Sequence, residues 1–333
     1  MEPKLPFEKI NREILTIKET ATSDEYGFDP NRRPIQTLIN YGVVNINKPS
    51  GPTSHQTSDY VKKILNINKA GHSGTLDPGV CGMLPIALGK ATRVVQALLK
   101  AGKEYIAIMH LHKDIEENKI HEVAKQFTAR IEQLPPRRSA IKRQLRKREV
   151  YYLNVLEIED KDVLFQVGCE AGTYIRKICH DIGLKLGTKA HMAELIRTKV
   201  GPFDTSTMFT LHDLKDAYEF YKEGDEKELR KIIQPIENAV KHLPKIWVPG
   251  IVAGSLCYGA NLGIQGISKL ESGIKQKELI AVLTLKNELV CIGNANLTSE
   301  EIMQKEKGNA LTNMKVFMDR DVYPYKKSRA ENS

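Results

Sequence analysis

Residues 103 to 112, KEYIAIMHLH, alternate at the two-residue period of a strand and stand between segments that repeat at the helical period. Before them Ala91, Val94, Val95, Leu98 and Leu99 fall on one helix face. After them Ile120, Val123, Phe127 and Ile131 mark a second helix. YYLNVLEI and VLFQVGCE then read as a pair of strands, and YGVVNINKP near the start reads as a buried one through Val43, Val44 and Ile46. Thr53 followed three residues later by Gln56 has capping-box spacing, so a helix is expected to begin there. Thr173 is expected to cap another, with Ile175, Ile178, Cys179 and Ile182 inward and Arg176 on a different side of its first turn. Strands and helices mixed in this way indicate an α+β chain, and 333 residues exceed one ordinary core.

The division into domains follows from changes in pattern. Residues 1–36 are polar and aperiodic, an extension that must lie on something else. From about 222 to 246 the chain is charge-rich and then marked by proline. Residues 247–323 hold short alternating runs with glycines at close intervals, and one small helix opened by Thr298 and Glu301, which suggests a compact β-barrel. The bounds are therefore 1–36, 37–246, 247–323 and a short tail, 324–333. No apolar run approaches the length of a membrane helix, and MEPKLPFEKINRE mixes charges of both signs without a signal-peptide core, so an intracellular, cytoplasmic protein is expected. Five cysteines with no close CxxC pair suggest neither a disulfide frame nor a zinc site.

Charge is concentrated as well as positive. The net value is +9, and RRSAIKRQLRKR, from Arg137 to Arg148, holds seven cations and no acid. These are Arg137, Arg138, Lys142, Arg143, Arg146, Lys147 and Arg148. A solvated face would account for them; a mobile loop that contacts RNA phosphates without reading sequence is the sharper expectation.

The segment AGHSGTLDPGVCGMLPIALGKATR presents a single acid, Asp77, from a loop of glycines and a proline. An Asx-turn is the structural alternative to a chemical role. Metal binding finds no partner at ligand spacing near Asp77, and His110 and His112 merely alternate on a strand. HSG lacks the nucleophile-elbow pattern, and the glycines give neither GxGxxG nor GxxxxGK. Residue chemistry alone thus reaches a nucleic-acid-binding protein with one loop aspartate.

GHSGTLDP, KEYIA, AGTYIRKICHDIG and LIRTKVGPF occur in the order found in the TruB-like pseudouridine synthases, and NKPSGPTSH fits that family's opening motif. PPRRSAIKRQLRKREVYYLNVLEI, ENAVKHLPKIWV, SKLESGI and KGNALTNMKVFMDRDVYP resemble one branch, the catalytic subunit of archaeal H/ACA ribonucleoproteins, relatives of dyskerin. The resemblance implies a mixed-sheet catalytic domain over 37–246, a small β-barrel PUA domain over 247–323, and an extension, 1–36, packed on the PUA domain. It implies Asp77 as catalytic aspartate, Tyr105 as the residue contacting the base, and Arg176 as the cation that pairs with Asp77. His72, Tyr174 and Leu195 match substrate-binding positions, and Lys48 with Pro49 matches a structural motif. Cys81, Lys315 and Asn47 stand where the branch usually has threonine, arginine and aspartate. No cofactor or metal is implied. The implied partners are an H/ACA guide RNA, an rRNA or tRNA substrate, small Nop-type and Gar-type core proteins and a kink-turn-binding ribosomal-like protein, with no membrane. A stand-alone tRNA T-arm synthase and a non-catalytic RNA scaffold are the competing readings.

Overall fold

Thr53 opens a helix, Ser54–Ile64, through a complete capping box: its hydroxyl accepts from the Gln56 amide and the Gln56 side chain accepts from the Thr53 amide. This computed structural model describes residues 3–135 and 144–325. The chain forms two compact units, one of Met1–Lys9, Val44–Ile86 and Leu98–Ile232, the other of Ile10–Val43, Ala87–Ala97 and the residues from Ile233 onward.

The first unit is built on a mixed sheet whose strands run in the order Gly42–Lys48, Cys81–Leu88, Ala190–Val200, Lys103–Leu111, Asp162–Cys169, Arg146–Glu159 and Arg130–Gln133. Lys103–Leu111 is antiparallel to both neighbours, whereas Cys81–Leu88 runs parallel to Ala190–Val200. Gly82, with φ at +102°, lets these two backbones close up: a Cβ there would stand 2.4 Å from the Arg197 carbonyl. Helices Glu117–Gln126 and Ile175–Lys185 bury Ile120, Val123, Ile175, Ile178, Cys179 and Ile182 in one core with Ala107, Met109, Phe165 and Val167 of the sheet. The helix expected through Ile131 ends at Gln126, and Ile131 lies in strand Arg130–Gln133. Thr173 does not cap the second helix. Its hydroxyl donates back to the Glu170 carbonyl at 2.7 Å, a local turn bond that wins over the helix start, and Tyr174 occupies the cap position.

The second unit carries a six-stranded sheet in the order Ile14–Thr16, Lys269–Glu271, Lys245–Val248, Leu279–Thr284, Leu289–Ala295 and Leu311–Val316. Only Lys245–Val248 and Leu279–Thr284 run parallel among its paired strands. Helices Gly250–Cys257 and Ser299–Gln304 add Ala253, Leu256 and Ile302 to its core, and Thr298 closes a capping box with Glu301. Residues 10–36 belong to this unit through specific bonds: Ile14–Thr16 forms the edge strand, Leu15, Ile17 and Tyr26 pack on the core, and Arg12 reaches Glu278 at 3.2 Å. Residues 233–246, which the sequence pattern joins to the catalytic domain, also lie here. Glu237 accepts from buried Arg33 and from the Leu289 amide, and Lys245–Val248 is an inner strand.

Candidate active site

Loop residues cannot satisfy their own carbonyls, so a fixed loop needs donors from elsewhere. The loop bearing Asp77 lies between strands Ala70–His72 and Cys81–Leu88 and is held on three sides. Lys48, fully buried at the end of its strand, donates to the carbonyls of Pro49 at 2.8 Å, Pro78 at 3.1 Å and Val80 at 2.8 Å. Burial, the largest influence, pulls its pKa below that of an ordinary lysine. Ser54, at the start of its helix, accepts from the Leu76 amide at 2.8 Å and donates to the Leu76 carbonyl at 3.2 Å. Arg197 donates through Nη2 to the Gly74 carbonyl at 3.2 Å and through Nε to the Met83 carbonyl at 2.8 Å. Gly74 has φ at +135°, which suits only glycine. The peptides on both sides of Asp77 are therefore tied down while its carboxylate stays accessible.

Asp77 Oδ2 lies 2.8 Å from Arg176 Nη2, and each side chain is 52% exposed. Arg176 sits in the first turn of Ile175–Lys185, where the helix dipole disfavours a cation and a facing carboxylate offsets that cost. At this exposure the pair is a positioning contact more than a source of stability. The start of the helix is set by Gln133, which is buried: its amide donates to the Tyr174 carbonyl at 3.1 Å and accepts from the Tyr174 amide at 2.9 Å.

Tyr105 and Arg197 are cross-strand partners, and a register shift between Glu104 and Tyr105 turns the strand at this point. Burial raises the phenol's pKa, partly opposed by the Arg197 charge, so Tyr105 is a neutral hydrogen-bonding ring at pH 7. Leu195, two residues before Arg197, faces Ala107 and packs beside Tyr105 on the same core. His72 places its ring edge-on to His55 with centroids 4.7 Å apart, and its Nδ1 accepts from the Gly74 amide at 3.4 Å. Burial first, then His55 and Arg197, lower its pKa and leave it uncharged at neutral pH. Lys103, also buried, donates to the carbonyls of Leu98, Leu99 and Ala101, and burial takes its pKa down to about 7.

The structure thus brings Asp77 and Arg176 into contact, sets Tyr174 close to Arg176 in the chain, and ties Tyr105 through Arg197 to the loop that carries His72's partner Gly74. Lys48 and Ser54 act on the loop as clamps, and Arg197 is a buried cation that sequence reasoning passed over. Its signal was present: Leu195 and Arg197 are two apart in LIRTKV and so share a sheet face.

Of the basic run, Arg137, Arg138, Lys142 and Arg143 lie outside the described residues. Arg146, Lys147 and Arg148 are not in a loop. They begin strand Arg146–Glu159, paired with Arg130–Gln133, because the alternation of YYLNVLEI extends back through Val150 into the charged residues. Lys147 Nζ is 3.8 Å from Glu132 across the strands, and Arg148 Nη1 is 3.4 Å from Glu170, beside the turn that leads to Tyr174.

With this geometry in view, comparison with known proteins is decisive. Residues 62–175 match the TruB family pseudouridylate synthase N-terminal domain, and 176–241 match the tRNA pseudouridylate synthase B C-terminal domain. A "Probable tRNA pseudouridine synthase B" of Pyrococcus horikoshii is 58% identical over 318 residues, 95% of either chain. The chain belongs to the TruB family of pseudouridine synthases. Residues 2–58 and 244–317 further match a DKCLD domain and a PUA domain. The relative of the same description from Methanopyrus kandleri is 49% identical, covering 96% of this chain and 95% of its own. A solved Cbf5–Nop10–Gar1 complex contains a chain 56% identical with a TM-score of 0.93, covering 96% of this chain and 98% of that one. An H/ACA ribonucleoprotein bound to a substrate RNA containing 2′-deoxyuridine holds one that is 53% identical, with a TM-score of 0.91 and coverages of 96% and 99%. Among the described residues no helix is long and apolar enough to cross a membrane.

Proposed function

We propose that this TruB-family synthase isomerises uridines in rRNA or tRNA as the catalytic subunit of an H/ACA ribonucleoprotein, guided by RNA and assembled with Nop10-type and Gar1-type proteins. The observation that carries the chemistry is a carboxylate on a clamped loop, 2.8 Å from a guanidinium on a helix whose start is itself clamped. The match over almost the full length of the Cbf5 chain supports the assembly.

In the reaction the bond from uracil N1 to ribose C1′ breaks, the base turns, and C5 bonds to C1′; C5 loses one proton and N1 gains one, so the product is an isomer. Asp77 supplies the negative charge this step needs at the sugar. Arg176 holds the carboxylate in one orientation, with its planar fork. Tyr105 offers the unstacked base a flat, neutral ring, and Leu195, Tyr174 and His72 shape the space around it. The basic run holds the substrate strand by phosphate contacts, leaving sequence choice to base pairing with the guide. The PUA domain, 247–323, holds the guide RNA, with the extension 1–36 packed on it.

The test is isomerisation by the purified chain with and without guide RNA and the two partner proteins. Turnover of guide-matched uridines only in the assembled complex supports the proposal. The name shared by the curated relatives favours a second activity, on tRNA; guide-independent turnover of a tRNA transcript would establish that reading, and guide-RNA binding without turnover in any mixture would leave a scaffold.

A further inference from the structure

Spacing along the chain offers no reason to join His110 and His112 to any third ligand, but the sheet register does. His110 faces His191 across the pair Lys103–Leu111 and Ala190–Val200, and His112, two residues on, lies on the same side. Ring centroids are 5.3 Å apart for His110 and His191, 5.3 Å for His112 and His191, and 6.3 Å for His110 and His112. Imidazoles around one tetrahedral ion, with metal–nitrogen bonds of about 2.0–2.1 Å and a ring radius of roughly 1.1 Å, have centroids about 5.2 Å apart. Two of the three spacings already agree. The nitrogens His112 Nε2 and His191 Nδ1 are 3.1 Å apart, near the ~3.4 Å separation of two ligands on such an ion. The third ring carries the orienting bond common at metal centres: Asp162 Oδ1 is 2.7 Å from His110 Nδ1, which leaves Nε2 of His110 free to face outward.

We infer that His110, His112 and His191 form a binding site for a divalent first-row transition cation, with Asp162 orienting His110. Among the described residues no group of three or more side chains is already drawn together as a complete metal-holding set. A turn of the His110 ring toward His112 closes the one long spacing. His112 and His191 are exposed and His110 is half-buried, so water or an outside ligand completes the tetrahedron. The chemistry of three imidazoles selects zinc, copper or nickel over magnesium or calcium.

The experiment titrates Zn²⁺ into the untagged, chelator-stripped full chain by calorimetry and reads Co²⁺ by its visible absorption, which is intense for tetrahedral nitrogen ligation. One ion per chain is expected. His112→Ala and His191→Ala should each weaken it by at least tenfold, and Asp162→Asn by about ten- to a hundredfold. His121→Ala, on the exposed side of Glu117–Gln126, should leave it unchanged. Binding of undiminished affinity in the triple variant His110→Ala/His112→Ala/His191→Ala, or the absence of saturable binding up to about 1 mM metal, would overturn the assignment. If the triple variant fails to fold, His112→Gln/His191→Gln is read in the same way.

Discussion

Lys48→Met separates the clamp from the chemistry, because it changes no group proposed to touch RNA. The ammonium is the donor to three carbonyls, of which Pro78 keeps a second donor in the Gly51 amide at 2.9 Å. The carbonyls of Pro49 and Val80 lose the Lys48 bond. An unsatisfied buried acceptor costs about 1–3 kcal/mol, so the loss amounts to roughly 2–6 kcal/mol. Removing a buried charge returns part of that, in the direction shown by the lowered lysine pKa. We expect a net destabilisation of about 2–3 kcal/mol. The loop ends are released too, so the turnover number should fall by at least about tenfold while RNA affinity changes little. Urea unfolding and single-turnover isomerisation in the assembled complex are the assays. A variant that is as stable as the parent, or one that is destabilised yet isomerises at the parent rate, would refute the view that Lys48 fixes the loop for catalysis.

Lys103 has a folded pKa of about 7 against 10.5 for an exposed lysine, so between those values the unfolded chain binds the extra proton and stability rises with pH; below about 7 both states are protonated and the penalty is constant. The difference in urea midpoint between parent and Lys103→Met should therefore move in the parent's favour from pH 7 to pH 9, and a difference independent of pH would count against a depressed lysine. Replacing Arg146, Lys147 and Arg148 together by glutamine should weaken substrate RNA binding equally for all sequences. It should also flatten the salt dependence by roughly one logarithmic unit for each phosphate no longer neutralised; an unchanged slope would make these residues a salt-bridged strand and nothing more.

What the sequence made legible was local. The Thr53 and Thr298 caps, the strand through KEYIAIMHLH and the buried strand at Val43 to Ile46 all depend on spacings of two to four residues. Asp77 and Arg176 are 99 positions apart, and their contact was expected only through resemblance to a family. Lys48 and Arg197 were illegible as clamps for a different reason: their partners are backbone carbonyls, which carry no residue identity, up to 123 positions away. Thr173 had the side chain of a cap and spent it on Glu170 instead. The charges of Arg146 to Arg148 concealed a strand whose pattern was visible only from Val150 onward. The histidines show the same limit, since His191 lies 79 positions from His112 and only register brings them together.

Everything proposed for the reaction rests on the Asp77 carboxylate, and Asp77→Asn isolates it because the change keeps the shape and removes the charge. The measurement is single-turnover formation of pseudouridine at a guide-matched uridine in the assembled complex, with substrate affinity measured on the same preparation. We expect a loss of at least about a thousandfold in rate, with affinity within about twofold of the parent. A rate within about tenfold of the parent, at full occupancy, would contradict the assignment of Asp77.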